Sequence, residues 1–115
     1  YKTLLENTRC ANGSDAPVEI PDVLKGIYLA VTRKSTITGI EMNQKECLTI
    51  DEAISSYTDR GAEMMSHSDS RGKIEVGYEA DLVVLDSDIT TCPFEDILKT
   101  KVIMTIVHGE EVYGR

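Results

Sequence analysis

Asp15 is the side chain whose setting in the sequence most suggests chemistry. It ends the run Gly-Ser-Asp at residues 13–15, which follows a partly apolar stretch. This pattern predicts a strand over residues 8–13 that ends at a rim, and catalytic side chains of parallel α/β proteins lie at such strand ends. Asp is also a common turn former or helix N-cap near proline, so the alternative is a purely structural role before Pro17.

The two histidines and three cysteines offer little further chemistry. His67 lies in a polar loop and His108 in a predicted strand beside a hairpin turn, and neither has a partner at metal-ligand spacing. We therefore expect both to be structural or surface residues. Cys10, Cys47 and Cys92 show no Cys-x-x-Cys or Cys/His spacing, so reduced thiols in a cytosolic protein are expected. Cys10 is expected to fill space rather than to act as a nucleophile.

The acidic composition argues against two classes of partner. The chain has 115 residues and a formal net charge of −8, without a window rich in Lys or Arg. Phosphate backbones and anionic lipids would repel such a chain, so no nucleic-acid binding is expected. Its apolar runs are far shorter than a membrane span, and it contains no signal-peptide core. We expect no membrane partner and a cytoplasmic location.

Helical periodicity predicts two elements that follow the turn. Residues 22–34 carry an apolar stripe behind Asp22, a suitable N-cap, and Gly26 inside this stripe indicates close packing. Residues 49–66 begin with a capping box, in which Thr49 and Glu52 would bond each other's backbone amides. A kink is expected near residue 58, and the methionines at residues 64 and 65 are expected to pack.

The last third of the chain predicts a small antiparallel sheet. Residues 82–85 are apolar on both faces, which is typical of a central strand. Gly109, with the residue after it, fits the first position of a type II′ hairpin turn. Helices followed by such a sheet make an α+β fold. The other expected elements are strands over 73–76, 101–108 and 111–113, and helices over 1–7 and from Pro93.

Five strings in this order resemble the end of a known enzyme family. They are GSDAPVE, PDVLKGIYLAVTRK, LTIDEAISSYT, GKIEVGYEADLVVLD and VIMTIVHGEEVYG. Together they resemble the C-terminal segment of a metal-dependent amidohydrolase of the YtcJ-like subgroup, over residues 4–114. The Gly-Ser-Asp turn and the string at residues 72–86 are the most specific parts.

The resemblance implies a fold and a role for Asp15. Members of the family have a (β/α)₈ barrel with a metal site at the C-terminal ends of its strands, and a small β-sandwich built from both ends of the chain. Residues 1–70 would be the end of the barrel, and residues 71–115 the C-terminal half of the sandwich. Asp15 would end the last barrel strand, ligate a divalent metal, zinc being the first expectation, and take a proton from the attacking water. The substrate would be a small molecule with an amide or cyclic amide C–N bond.

The histidine ligands that the family uses are missing from this sequence. We therefore expect a fragment of a longer hydrolase, without activity or bound metal when it is isolated. The alternatives are a non-catalytic regulatory or interaction module derived from an amidohydrolase tail, or a metal-free small-molecule binder. Tyr28 and Arg33 are expected to serve packing and a solvated charge rather than substrate binding.

A strand at residues 8–12 without its barrel neighbours would expose unpaired backbone groups. We therefore expect these residues to be rearranged or disordered, and the core to form from the two predicted helices against the C-terminal sheet. Exposed strand edges also make a homo-oligomer an expectation.

Overall fold

The computed structural model describes residues 1–114, which form four α-helices and then a three-stranded sheet, with a fifth helix between its first two strands. The helices are α1 (Lys2–Asn7), α2 (Val23–Thr32), α3 (Ile50–Tyr57), α4 (Asp59–Met64) and α5 (Phe94–Ile97), with a short 3₁₀ turn at Gln44–Glu46. The strands are β1 (Leu82–Leu85), β2 (Val102–Val107) and β3 (Glu110–Gly114). The fold is α+β, as expected.

Helix α2 begins where the sequence predicts because Asp22 caps it. The Asp22 carboxylate accepts a hydrogen bond of 3.0 Å from the Lys25 amide, which satisfies one of the free N–H groups of the first turn. The helix ends at Thr32, and the left-handed backbone of the C-cap residue Arg33 (φ 48°) closes the last turn. Its inner face buries four residues, Ile27, Tyr28, Ala30 and Val31.

Helices α3 and α4 fall within the predicted helix 49–66 and are separated at Thr58. The Thr49 hydroxyl accepts from the Glu52 amide at 3.2 Å, and the Glu52 carboxylate accepts from the Thr49 amide at 2.8 Å. This capping box fixes the start of α3. The backbone of Thr58 (φ −122°, ψ −98°) is not helical, so the chain bends at the expected kink.

Gly26 lets α2 and α3 approach each other closely. A side chain at position 26 would collide with the hydroxyl group and ring carbon of Tyr57. The close packing that the sequence predicts at this glycine is therefore present, and its partner is an aromatic side chain of α3.

The core is built by helices and the loops between them, not by helices against the sheet. Only Leu85 of β1 packs against it, and this residue is half-buried. The expected packing of the sheet on the helices is therefore wrong: α5 occupies that place and contacts α2. The buried apolar residues are Leu5, Ile27, Tyr28, Ala30, Val31, Leu48, Ala53, Ile89 and Ile97.

Within residues 1–114 the sheet has three antiparallel strands in the order β1-β2-β3. Strand β1 is thus at an edge, and the prediction of a central position is wrong for this chain. The β2–β3 turn also differs from the prediction. Both His108 (φ 51°) and Gly109 (φ 80°) have positive φ, which is the pattern of a type I′ turn centred on these two residues, not a type II′ turn at residues 109–110.

Two predicted strands do not form in the described part of the chain. Residues 8–13 are irregular, and Asn12 bonds the end of α3 instead, through its amide to the Ser56 carbonyl at 2.9 Å. Residues 73–76 are irregular and lead into a turn at Val76, and the side chains of Ile74 and Val76 are almost wholly exposed. A strand needs a paired neighbour to satisfy its backbone groups, and residues 1–114 offer none at these places.

Two smaller observations complete the fold. The expected packing of Met64 and Met65 is wrong, since both side chains lie exposed at the end of α4. No helix within residues 1–114 is both long enough and apolar enough to cross a membrane.

Candidate functional site

The turn that carries Asp15 presents its carboxylate to solvent. The backbone of Asp15 is left-handed (φ 53°), a conformation that Asp adopts more readily than most residues because its short polar side chain can tolerate it. The Asp15 carbonyl accepts from the Val18 amide at 2.9 Å, so the turn is closed by its backbone. The side chain is exposed, and its carboxylate has no hydrogen-bond or ion-pair partner among residues 1–114.

The stretch before the turn is anchored to α3. Asn12 makes two hydrogen bonds of 2.9 Å to Ser56, one from its backbone amide to the carbonyl and one from its side-chain amide to the hydroxyl. Ser56 is buried and donates to the Ala53 carbonyl at 2.6 Å. Because these bonds hold residue 12 against a buried helix face, the position from which the Asp15 turn projects is fixed.

A groove of about 450 Å³ runs from this turn along α2. Gly13 and Ser14 line one end, and the flank of α2 with Asp22, Lys25 and Gly26 lines a wall. The Lys25 ammonium lies 3.6 Å from the Glu19 carboxylate, so it is already paired. The phenol of Tyr57 also borders the groove, and burial raises its pKa above the ordinary value.

A second group of charged side chains lies at the β2–β3 turn. The His108 Nδ1 lies 2.9 Å from the Glu79 carboxylate, and the His108 amide donates to Asp81 at 2.9 Å. The backbone also joins the two segments, through a bond of 3.1 Å from the Gly109 amide to the Ala80 carbonyl. Residues 79–81 are therefore tied to the turn.

This second group is an ion-pair network. A Glu79 carboxylate oxygen lies 2.8 Å from the Arg71 guanidinium, whose Nε is 3.8 Å from Asp81. The hydrogen bond to Glu79 raises the pKa of Arg71. One ligand atom from each of Glu79, Asp81 and His108 lies within 4.8 Å of the others, but a cation there would compete with Arg71 for the same carboxylates.

Residues 1–114 do not complete the metal site that the resemblance implies. Within residues 1–114, the cluster of Glu79, Asp81 and His108 is the one group of three acidic, histidine or cysteine side chains close enough to share an ion. Asp15 is not part of it. A catalytic zinc takes about three protein ligands, so the Asp15 turn supplies too few for a metal in this chain alone.

Comparison with known proteins identifies the family. A sequence profile described as the amidohydrolase family matches residues 1–113. The chain belongs to the amidohydrolase family. It is 40% identical, over all of its length, to YtcJ of Bacillus subtilis strain 168, a protein that carries the name amidohydrolase. The predicted resemblance to YtcJ-like amidohydrolases is thereby confirmed.

Two further proteins are similar to this amidohydrolase chain. An N-substituted formamide deformylase of Arthrobacter pascens is 33% identical over 90% of the chain. The crystal structure of an amidohydrolase from Thermotoga maritima superposes on 96% of the chain with a TM-score of 0.69 at 24% identity, which shows a shared fold. The chain spans 22%, 18% and 24% of the lengths of these three relatives.

The structure places the other residues that the sequence singled out in different surroundings. Tyr28 is buried in the core of this amidohydrolase chain, as expected. Arg33 is not simply a solvated charge, since its Nε donates to the Met42 carbonyl at 2.8 Å and its guanidinium lies 5.5 Å from the Tyr1 ring centroid. Cys10 is half-buried against the core.

His108 is exposed, in line with the expectation of a structural or surface residue, but sequence spacing did not reveal its partner. Its imidazole pairs with Glu79, a residue 29 positions earlier, because the hairpin turn folds onto residues 79–81. Local spacing cannot reveal a pair that strand pairing brings together. The one signal available was the pair of carboxylates in Glu-Ala-Asp at 79–81, directly before an apolar strand.

Proposed function

We propose that this amidohydrolase chain is a segment of a longer hydrolase and contributes the Asp15 carboxylate to its catalytic centre. The observation that supports the proposal is the turn itself. Asp15 is exposed, left-handed and without a side-chain partner among residues 1–114. A carboxylate used only as a cap or turn former would accept local backbone bonds, as Asp22 does.

Such a carboxylate can do acid–base chemistry. It can accept a proton from a water molecule and pass it to a leaving amine. In the proposed whole enzyme it would also be a ligand of a divalent metal, zinc being the first candidate, and bound zinc lowers the pKa of its water to about 7. The remaining ligands would have to come from outside these 115 residues, because this turn supplies only one.

We propose a small molecule with an amide or cyclic amide bond as the substrate. The name of the Arthrobacter pascens relative supports this class, since an N-substituted formamide is an amide. In the same proposal, residues 1–70 belong to the end of a (β/α)₈ barrel and residues 71–115 to half of a composite β-sandwich, in a cytoplasmic enzyme. The exposed sheet supports this division, because its strands bury little within the described residues.

Replacing Asp15 in the longest natural polypeptide that contains these residues tests the proposal. We expect Asp15→Asn to lower kcat for amide hydrolysis by about 10²–10⁴-fold, since general acid–base catalysis contributes this much. Asp51→Asn in the first turn of α3 is the matched control. Asp51 is exposed and lies outside the groove that runs from the Asp15 turn, so this variant should keep its activity. Equal activity in both variants would assign Asp15 a structural role.

The isolated chain provides a second test of the same proposal. It should hydrolyse no amide, and calorimetric titration with Zn²⁺ at pH 7 should show no stoichiometric site. Stoichiometric binding that His108→Gln abolishes would place a metal at the Glu79–Asp81–His108 network instead. Amide hydrolysis by the isolated chain would contradict the proposal that ligands from elsewhere are required.

A further inference from the structure

Asn12 is followed by Gly13, and this pair of residues favours spontaneous loss of the asparagine side-chain amide. The main-chain nitrogen of the residue after an asparagine can attack the side-chain carbonyl carbon, which is one reason why asparagine is thermolabile. Glycine hinders this attack least because it has no Cβ. The other two asparagines, Asn7 and Asn43, precede threonine and glutamine. The sequence therefore distinguishes Asn12 from both of them by the residue that would attack.

The reaction is deamidation, and it consumes only water. The Gly13 nitrogen loses its proton and forms a bond with Cγ of Asn12, and the Cγ–Nδ2 bond breaks as ammonia leaves with that proton. The product is a cyclic succinimide. Water then opens the ring at either of its carbonyl carbons, which gives aspartate or isoaspartate. In isoaspartate the main chain runs through the former side-chain carboxyl group, and either product adds a negative charge to the chain.

The structure leaves the attacking nitrogen free. Gly13 is exposed, lies in an irregular stretch, and its amide has no hydrogen-bond partner among residues 1–114. The side-chain carbonyl oxygen of Asn12 has no partner among these residues either. A Cβ on residue 13 would meet nothing within 4 Å, so the space beside Gly13 is open as well.

The bonds between Asn12 and Ser56 oppose the reaction. The Asn12 backbone amide donates to the Ser56 carbonyl, and Nδ2 of Asn12 donates to the Ser56 hydroxyl oxygen, both at 2.9 Å. Ring closure fixes the side chain against the Gly13 nitrogen and expels Nδ2, so the reaction breaks the bond that Nδ2 makes. We therefore expect this anchor to slow the conversion of Asn12.

The product cannot restore the same anchor. Ser56 is buried, and its hydroxyl donates to the Ala53 carbonyl at 2.6 Å. A hydroxyl has a single donor, so its oxygen offers only lone pairs to residue 12. Lone pairs suit the N–H donor of asparagine and repel a carboxylate oxygen, and a charge placed there without a donor costs free energy. In the isoaspartate product the main chain is also longer by one carbon atom.

We propose that Asn12 is a deamidation site, that its bonds to Ser56 control the rate, and that its conversion detaches the Asp15 turn from α3. Asp15 follows Asn12 by three residues, so its carboxylate loses the fixed position from which it projects. The reaction does not require the proposed function. Only a loss of amide hydrolysis on conversion would rest on that function.

Incubation of the 115-residue chain at pH 8 and 37 °C tests the site. Trypsin places the three asparagines in separate peptides, residues 3–9, 10–25 and 35–45, so mass spectrometry measures each conversion, and a sample taken before incubation corrects for conversion during digestion. We expect Asn12 to convert first, although it is half-buried whereas Asn7 and Asn43 are exposed. Conversion of either of these before Asn12 would overturn the proposal.

Two variants separate the attack from the anchor. Gly13→Ala should slow conversion because its methyl group hinders the attack, and the fold accepts this change since φ of Gly13 is not left-handed and the new Cβ meets nothing within 4 Å. Ser56→Ala removes the acceptor of Nδ2 and should speed conversion about fivefold, which corresponds to the ~1 kcal/mol net value of one hydrogen bond. An unchanged rate in Ser56→Ala would overturn the control by the anchor.

The unsubstituted chain gives the same comparison without a variant. Unfolding in urea removes both bonds to Ser56, so Asn12 should convert faster in urea than in the folded chain. Equal rates in the two states would mean that the fold does not control the reaction, which overturns the proposal. Circular dichroism verifies that each variant is folded.

Amide hydrogen exchange tests the release of the turn. In Asn12→Asp, which reproduces one product, the amide of residue 12 should exchange about fivefold faster after correction for intrinsic rates, because the side-chain bond to Ser56 is lost. Asn43→Asp is the matched control, since it makes the same charge change at an exposed side chain. Equal protection in both variants would overturn the detachment. None of these measurements uses activity, so a failure of the catalytic role of Asp15 would leave the result at Asn12 unchanged.

Discussion

The helical region and the sheet of this amidohydrolase chain differ in how many of their side chains they bury. The helices and their loops bury nine apolar residues in one core, from Leu5 to Ile97. No residue of β1, β2 or β3 is buried within residues 1–114, and β3 is exposed throughout. The difference lies in the tertiary partners that each region finds within residues 1–114.

This difference shows which part of the chain depends on its neighbours. The apolar stripe of α2 finds α3 and α5 close by in the same segment. Within residues 1–114 the sheet has backbone pairing but buries none of its residues, and a sheet needs a packed face to contribute a core. We infer that stability of the isolated chain resides in the helices, and the following predictions test this division.

The largest effect is expected from a cavity in the helical core. Ile97 is fully buried against α2, so Ile97→Ala should lower the free energy of unfolding by about 2–5 kcal/mol. Val112→Ala in the exposed strand β3 should change it by less than about 0.5 kcal/mol. Urea unfolding followed by circular dichroism measures both. Equal losses would mean that the sheet shares the core after all.

A smaller effect is expected at the contact between α2 and α3. Gly26→Ala would force the new methyl group into Tyr57 and should destabilise the chain by about 1–3 kcal/mol, as overpacking does. Gly61→Ala in α4 is the matched control, because its added carbon meets nothing within 4 Å, and it should stabilise by about 0.5–1 kcal/mol. Combining Gly26→Ala with Tyr57→Leu should recover part of the loss. No recovery would point to a cause other than the collision.

The smallest effect is expected at the capping box of α3. Thr49→Ala should cost about 1 kcal/mol, while Thr49→Ser, which keeps the hydroxyl, should cost little. Thermal unfolding distinguishes the two. A similar loss in both variants would mean that the methyl group, and not the hydrogen bond, matters at this position.

The capping box also predicts a pH dependence. The backbone hydrogen bond from Thr49 lowers the pKa of Glu52 below its ordinary value of 4.5. Because the folded-state pKa is the lower one, this contribution to stability is present above pH 4.5 and is lost as pH falls through the folded-state value. Glu52→Gln should reduce that part of the acid sensitivity. Solvent screening keeps the effect small, since the side chain is only partly buried.

The local signals in the sequence predicted the helices well. Asp22, Gly26 and the Thr49–Glu52 box each act through neighbours within four residues or through one adjacent helix, so their patterns are visible in the chain. The strand predictions succeeded at β2 and β3, which are joined by a tight hairpin. They failed at residues 8–13 and 73–76, because the pairing partners of a strand are not encoded in its own pattern.

The sequence predicted where the candidate site lies in the chain, but it did not predict which residues hold that site in place. The sequence placed Asp15 at a turn after a partly apolar stretch, and the structure has that turn, exposed and left-handed. The sequence could not show that Asn12 would anchor the turn through Ser56, because these residues are 44 positions apart. The catalytic role of Asp15 stays a prediction.

The sequence by itself determined the family, the helical segments with their caps, and the acidic turn, because each depends on residue types at short spacing. Only the tertiary structure decided that β1 lies at an edge, that α5 rather than the sheet closes the core, and that His108 meets Glu79. These outcomes depend on which distant surfaces meet. Short-range periodicity fixes the face that an element must bury, but leaves open what that face is buried against.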